Sequence, residues 1–282
     1  MATKKAATTT KKTTAKKSAA VKTTKTTVTT APVAATTNEF AGHIQQSVRS
    51  LTLWRALGAE LVGTFLLAGV VIAGQGQPIF VLFALVGIVL TIGAISGAHV
   101  NPAITIGALV TRRIGWLRAI GYIVAQCLGA ALAYVVLNAF IGGAAAVSPE
   151  AQAYGQAAPT LFAAADITAL AGKEWYVFFA ELTGTAILGF AVANATRELQ
   201  DRVAAAFTVG LGIFIALMIA ISAASYVGGS AIINPAVAIA LHAFSWSSVW
   251  PFAVYALAPV IGGVLGFVLY DLLRGRNVPA VR

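Results

Sequence analysis

Four polar side chains stand where hydrocarbon is expected. Asn101 and Asn234 each open an Asn-Pro-Ala tripeptide inside an apolar stretch, and Glu60 and Glu181 lie within long hydrophobic runs. None has the partners of a nucleophile–base pair, so the chemistry they offer is hydrogen bonding. An Asn amide both donates and accepts, and a carboxylate accepts. Proline cannot donate and restricts the residue before it. Asn as N-cap followed by Pro at the first helical position is the ordinary start of a helix. Helices beginning at Asn101-Pro102-Ala103 and Asn234-Pro235-Ala236 inside a membrane would aim free N–H groups at something polar, and a pore is the candidate.

The elements that must position these residues are long and apolar. The chain is 59% hydrophobic and 10% charged, with a mean hydropathy of +0.84; soluble domains carry about 25% charged residues. A membrane-spanning helix needs roughly 20 apolar residues. Six such runs are present, at 54–74, 78–96, 116–141, 175–195, 203–225 and 249–273. The segments 101–111 and 234–243 are too short to span and read as re-entrant half-helices, which persist at that depth only where buried in protein or lining a wet cavity. The expected fold is an all-α membrane protein.

Residues 1–38 differ in kind: mostly Thr, Ala and Lys, with no aromatic and no acidic residue. Their eight Lys carry most of the formal net charge of +10, leaving +2 for the rest. Such a segment is expected to be disordered, either as a solvated tail or in contact with anionic lipid headgroups; nucleic-acid binding is not expected. No apolar core of a cleaved signal peptide follows these Lys. Cys127 is the single cysteine, a small buried hydrophobe by its mid-span position. His43, His99 and His242 are scattered. No metal-ligand spacing, phosphate loop or cofactor motif stands out, so neither a catalyst nor a cofactor is expected.

The two halves repeat. With both Asn residues set at zero, Ala98 and Ala231 lie three before, Tyr122 and Tyr255 lie 21 after, and Gly129 and Gly262 lie 28 after, with Gln126 opposite Pro259. Upstream, Glu60 and Thr64 match Glu181 and Thr185. Each half therefore reads as span with Glu, span, half-helix, span. Three spans per half invert the second half relative to the first, an arrangement that places a site near the midplane. Glu60 and Glu181 are expected to accept hydrogen bonds from free backbone N–H groups of the re-entrant segments, and His99 to hydrogen-bond loop backbone rather than solute. Arg112, Arg113, Arg118, Arg197, Arg202, Arg274, Arg276 and Arg282 cluster on alternate connections, whereas 142–174 has none. The positive-inside rule makes both termini cytoplasmic. The expected division is a lead-in at 1–49, repeats at 50–143 and 175–273, an extracellular connection at 144–174, and a cytoplasmic tail at 274–282.

Ser-Gly-Ala-His-Val-Asn-Pro-Ala-Ile-Thr at 96–105, the second Asn-Pro-Ala and the paired Glu residues resemble the aquaporin or major intrinsic protein family over residues 50–273. The resemblance implies six tilted spans and two re-entrant half-helices in an inverted repeat, assembled as a homotetramer with one pore per subunit. It also implies a passive channel in the cell membrane. An Arg commonly follows the second Asn-Pro-Ala in this family and narrows an outer constriction; here that place is Val237. The other constriction places fall at Ala231, near Val81 within 81–86, and near Ser222 within 217–222. All are apolar or small, which predicts a wide, uncharged filter passing water and small neutral solutes such as glycerol and excluding protons and ions. The alternatives are a channel for dissolved gases or a neutral weak acid and, in another class, a membrane scaffold acting through the basic tail.

Overall fold

The computed structural model describes residue 42 and residues 44–143, 147–155, 160–197 and 201–275. The chain separates into Met1–His43 and Ile44–Arg282. The Lys-rich tail and residues 276–282 lie outside the described residues, and so do the expectations of disorder and lipid contact placed on the tail. The helices named below all belong to the second unit.

Among the described residues, six helices are long and apolar enough to cross a membrane: α1 (Leu51–Ala73), α2 (Pro78–Ser96), α4 (Trp116–Gly142), α5 (Glu174–Ala195), α6 (Arg202–Ser225) and α8 (Trp250–Arg274). At about 1.5 Å per residue they are roughly 28 to 40 Å long, against a hydrocarbon core of about 30 Å. Two short helices interrupt the series, α3 (Pro102–Val110) and α7 (Pro235–Ala240). The described residues are thus all-helical in the expected order, with α3 and α7 as the half-helices.

Each half-helix has a locally encoded start and stop. Asn101 and Asn234 are extended, as a residue before Pro must be, and their side chains accept from Ala103 N and Ala236 N. The stops are left-handed residues, Arg112 at φ 59° and His242 at φ 53°. Behind them Arg113 N donates to Ala108 O, and Ala243 N to Ala238 O, the six-to-one closure of a Schellman turn. His242 ends α7 at Ala240, shorter than the expected 234–243.

Packing follows the repeat. α1 packs on α4 and α2, and α5 on α8 and α6, while each half-helix crosses over, α3 against α8 and α7 against α4. Gly129 sits against the Leu61 carbonyl and Gly262 against the Leu182 carbonyl, in both cases too close for a Cβ. These equivalent glycines let α4 and α8 approach the turn that carries the buried Glu. The symmetry breaks at Pro259: α8 contains a π-turn at Ala253–Leu257 just before it. A proline cannot supply the helical N–H, and the ladder slips locally to the wider pattern.

The connection between the repeats holds a short helix, Pro149–Ala153, and a 3-10 turn, Ile167–Leu170. Ala164 N donates to Leu241 O, and Ala165 N to Ser230 Oγ. This stretch is therefore fastened to the end of α7 and to the loop before it.

Candidate functional site

The two half-helices start against each other. Asn101 Nδ2 donates to Ile233 O at 2.9 Å, and Asn234 Nδ2 donates to Val100 O at 2.9 Å. Each amide thus binds the carbonyl preceding the other motif. An amide nitrogen carries two donors, so each Asn keeps a second N–H. Both side chains border a small central cavity of about 10 Å³, together with Leu67, Leu85, Leu188 and Ile213. That volume holds about one water. A wider cavity of about 310 Å³, bordered by Val89, Gly93, Ala98, Val192 and Val209, shares Ala98, Val192 and Val209 with the central one. A continuous apolar lining therefore leads from the Asn pair toward Arg202, which also borders the wider cavity.

The loops entering the half-helices are held in an unfavourable backbone. Val100 has φ 41° and Ile233 has φ 51°, a region that β-branched residues avoid. What holds them is a carboxylate on each side. Glu60 accepts from His99 N at 3.0 Å and Val100 N at 2.7 Å. Glu181 accepts from the backbone N–H groups of Ile232 and Ile233, the latter at 2.8 Å. Both Glu side chains are fully buried, and Thr64 and Thr185 donate to the carbonyls of their own Glu residues. Tyr122 and Tyr255 hydroxyls bind Ser96 O and Ser230 O, at the start of the same loops.

Sequence reasoning missed Gln126. Its Nε2 donates to Glu60 Oε2 at 2.7 Å and to Thr105 Oγ1 at 3.0 Å. The signal was available, since a fully buried amide in mid-span needs partners. The second half has Pro259 in its place, and Glu181 is held by backbone donors without an equivalent amide. His99 differs from expectation. Its ring pairs with the Thr105 hydroxyl at 3.2 Å, stands edge-on to Tyr122, and borders the central cavity. Glu60 has taken the nearby backbone donors, and the ring turns toward α3 instead.

Of the four constriction candidates, three share one buried region and Ser222 stands apart. Val81, Ala231 and Val237 are buried in one hydrophobic core, at 2%, 9% and 2% exposure. Ser222 is exposed. It lies nine residues beyond the cavity-lining Ile213, which at about 100° per residue is half a turn away, on the stripe of Leu211, Ile215 and Met218 that faces outward. The stripe continuing Val209 and Ile213 runs through Leu217 and Ala220, so helical periodicity held the missing signal. Val81 and Val237 are packed among apolar neighbours at 2% exposure each.

A latch at the Arg-bearing ends of the helices went unpredicted. Arg113, in the turn after α3, donates to Ala193 O at 2.8 Å and to Asp271 Oδ1 at 2.7 Å, and lies over the Phe267 ring. Arg197 meets the same Asp271 oxygen at 3.0 Å. Arginines distant in sequence therefore share one face.

This geometry has relatives. Residues 47–270 match the family model described as Major intrinsic protein. The lens fiber major intrinsic protein of Mus musculus is 32% identical, over 80% of this chain and 83% of its own. The glycerol uptake facilitator protein-like 6 of Lactiplantibacillus plantarum is also 32% identical, over 73% of this chain and 92% of its own. Among solved structures, the aquaglyceroporin from Plasmodium falciparum superposes with a TM-score of 0.57 at 22% identity, covering 78% of this chain and 96% of that one.

Proposed function

The chain belongs to the major intrinsic protein family, and on that premise we propose that it is a passive transmembrane channel for water and small neutral solutes such as glycerol, excluding protons and ions. The observation that carries this reading is the meeting of two half-helix N-termini at a cavity the size of one water, each capped by an Asn bound to the other's loop. Each N-terminus is worth about half a positive charge. Two aimed at one point repel hydronium and metal cations alike, as half-helix dipoles do in aquaporin-type pores generally. A water accepting from the free N–H of Asn101 and Asn234 is oriented oxygen-first. With both lone pairs of its oxygen engaged by the two amides and aliphatic Leu67, Leu85, Leu188 and Ile213 beside it, that water cannot take up a further proton, so the hopping chain breaks while the molecule itself advances.

Glycerol and similar solutes enter the proposal through the uncharged outer residues, Val81, Ala231 and Val237, and through the facilitator among the relatives. An arginine at position 237 would add a charged fork; valine adds neither donor nor charge. Assembly as a homotetramer, cytoplasmic termini, and division into repeats at 50–143 and 175–273 belong to the same proposal. The gathering of Arg113 and Arg197 on one face supports the orientation.

The test is reconstitution into proteoliposomes, with stopped-flow shrink–swell measurements under sucrose, glycerol and urea gradients and a pH-sensitive dye inside. Water and glycerol should equilibrate faster than in empty vesicles while an imposed pH gradient persists. Vesicles no more permeable than the bare lipid, or a collapsing pH gradient, would overturn the proposal.

A further inference from the structure

On the arginine-bearing face, a pocket of about 770 Å³ lies between the ends of α3, α5 and α8. Arg112, Arg197 and Arg274 border it, together with Asp271, Val110 and Leu272. It shares no lining residue with the two axial cavities. We propose that this pocket binds the phosphate headgroup of an anionic phospholipid.

The charge sets the sign of the ligand. Three helix C-termini converge here, each worth about half a negative charge, and Asp271 adds a full one. Arg112, Arg113, Arg197 and Arg274 outweigh that sum, and Asp271 is already shared by two of them, Arg113 and Arg197. Arg112 forms no ion pair among the described residues. Guanidinium forks match phosphate oxygens two at a time. The apolar wall then selects a lipid over a free anion. Val110 is 53% exposed and Leu272 is 71% exposed, and the spans beside them are long and apolar enough to lie in hydrocarbon for most of their length. An acyl chain runs naturally along such a surface while its phosphate stays among the arginines. Basic pockets between spans at an interface are suited to anionic headgroups, and the volume is that of a small-molecule site.

The experiment uses the full chain, delipidated in detergent and titrated by native mass spectrometry with phosphatidylglycerol, with phosphatidylcholine, and separately with inorganic phosphate. Phosphatidylglycerol should bind more tightly than phosphatidylcholine. The double variant Arg112→Gln/Arg274→Gln should lose about fivefold in phosphatidylglycerol affinity per arginine removed, with phosphatidylcholine unaffected. Lys11→Gln/Lys12→Gln, which removes equal charge from the tail, should keep the preference. Leu272→Glu, which sets a carboxylate beside the arginines at an exposed position, should weaken phosphatidylglycerol as well and reads the same pocket if the double variant misfolds. Unchanged phosphatidylglycerol binding in the arginine and Leu272 variants overturns the proposal. So does an equal loss in the tail variant. Inorganic phosphate binding as tightly as the lipid would overturn the lipid assignment.

Discussion

At the scale of single residues, the site is a set of buried acceptors holding strained donors. Replacing Glu181 with Gln keeps the volume but turns an acceptor into a donor facing Ile232 N or Ile233 N. Losing hydrogen bonds to a buried charged group costs about 1.5–3 kcal/mol each. Glu181→Gln should therefore lower the melting temperature in detergent and abolish water flux; a variant with both unchanged would show that the carboxylate does not hold the loop. Glu60 was as visible in the sequence as Glu181, because an intramembrane carboxylate asks for a partner. Its hydrogen bond from Gln126 was not anticipated, since spacing does not say which side chain of another helix arrives. The outer filter invites a second substitution. Val237→Arg puts a long cation in the first turn of α7, where Val237 is 2% exposed. An added barrier of about 1.4 kcal/mol is tenfold in rate, and glycerol permeability should fall by at least that factor while water falls less. Equal losses of both solutes would place Val237 outside the constriction.

At the scale of elements, the helices were legible because their boundaries are chemical. Pro at positions 78, 102 and 235 marks three starts, and the apolar runs have the length of a bilayer. The end of α7 was not legible. It depends on His242 adopting a left-handed conformation uncommon outside glycine, and nothing in the local sequence demands it. The repeat glycines were visible as matches, but their purpose came from packing. Gly262 touches the Leu182 carbonyl of α5, so a methyl group there must push α8 away. Gly262→Ala should cost about 1–3 kcal/mol, as overpacking does. Its signature is a reduced yield of folded protein on size-exclusion chromatography, with Gly129→Ala behaving alike. Wild-type yield and melting temperature in both variants would mean that α4 and α8 are not held at contact distance.

At the scale of the whole molecule, two of the polar links between the repeats bear on conduction and stability. One is the pair of reciprocal Asn bonds at the centre; the other is Arg113, which joins the turn after α3 to α5 and α8. Arg113 is 15% exposed and Asp271 is 31% exposed, so solvent screens part of the attraction. Arg113→Leu should still destabilise by about 1–3 kcal/mol, because the Ala193 carbonyl and Asp271 each lose a charged donor and are left with the Thr196 hydroxyl and Arg197. Flux per folded molecule should stay near that of the parent, since the residue is remote from the Asn pair. A loss of flux without a loss of stability would make Arg113 part of the conduction path.

The sequence alone determined that this chain lies in a membrane, that it is a doubled and inverted unit, and that two Asn-Pro-Ala helices begin inside it. Those properties are carried by composition, length and repetition, which are local or additive along the chain. Only the tertiary structure decided that each Asn binds the other's loop, that Gln126 reaches Glu60, that Ser222 faces away from the axis, and that arginines from separate connections surround one pocket. Each of these depends on the rotation of a helix about its own axis, where one residue is about 100°, and that rotation is set by packing against neighbours distant in the chain.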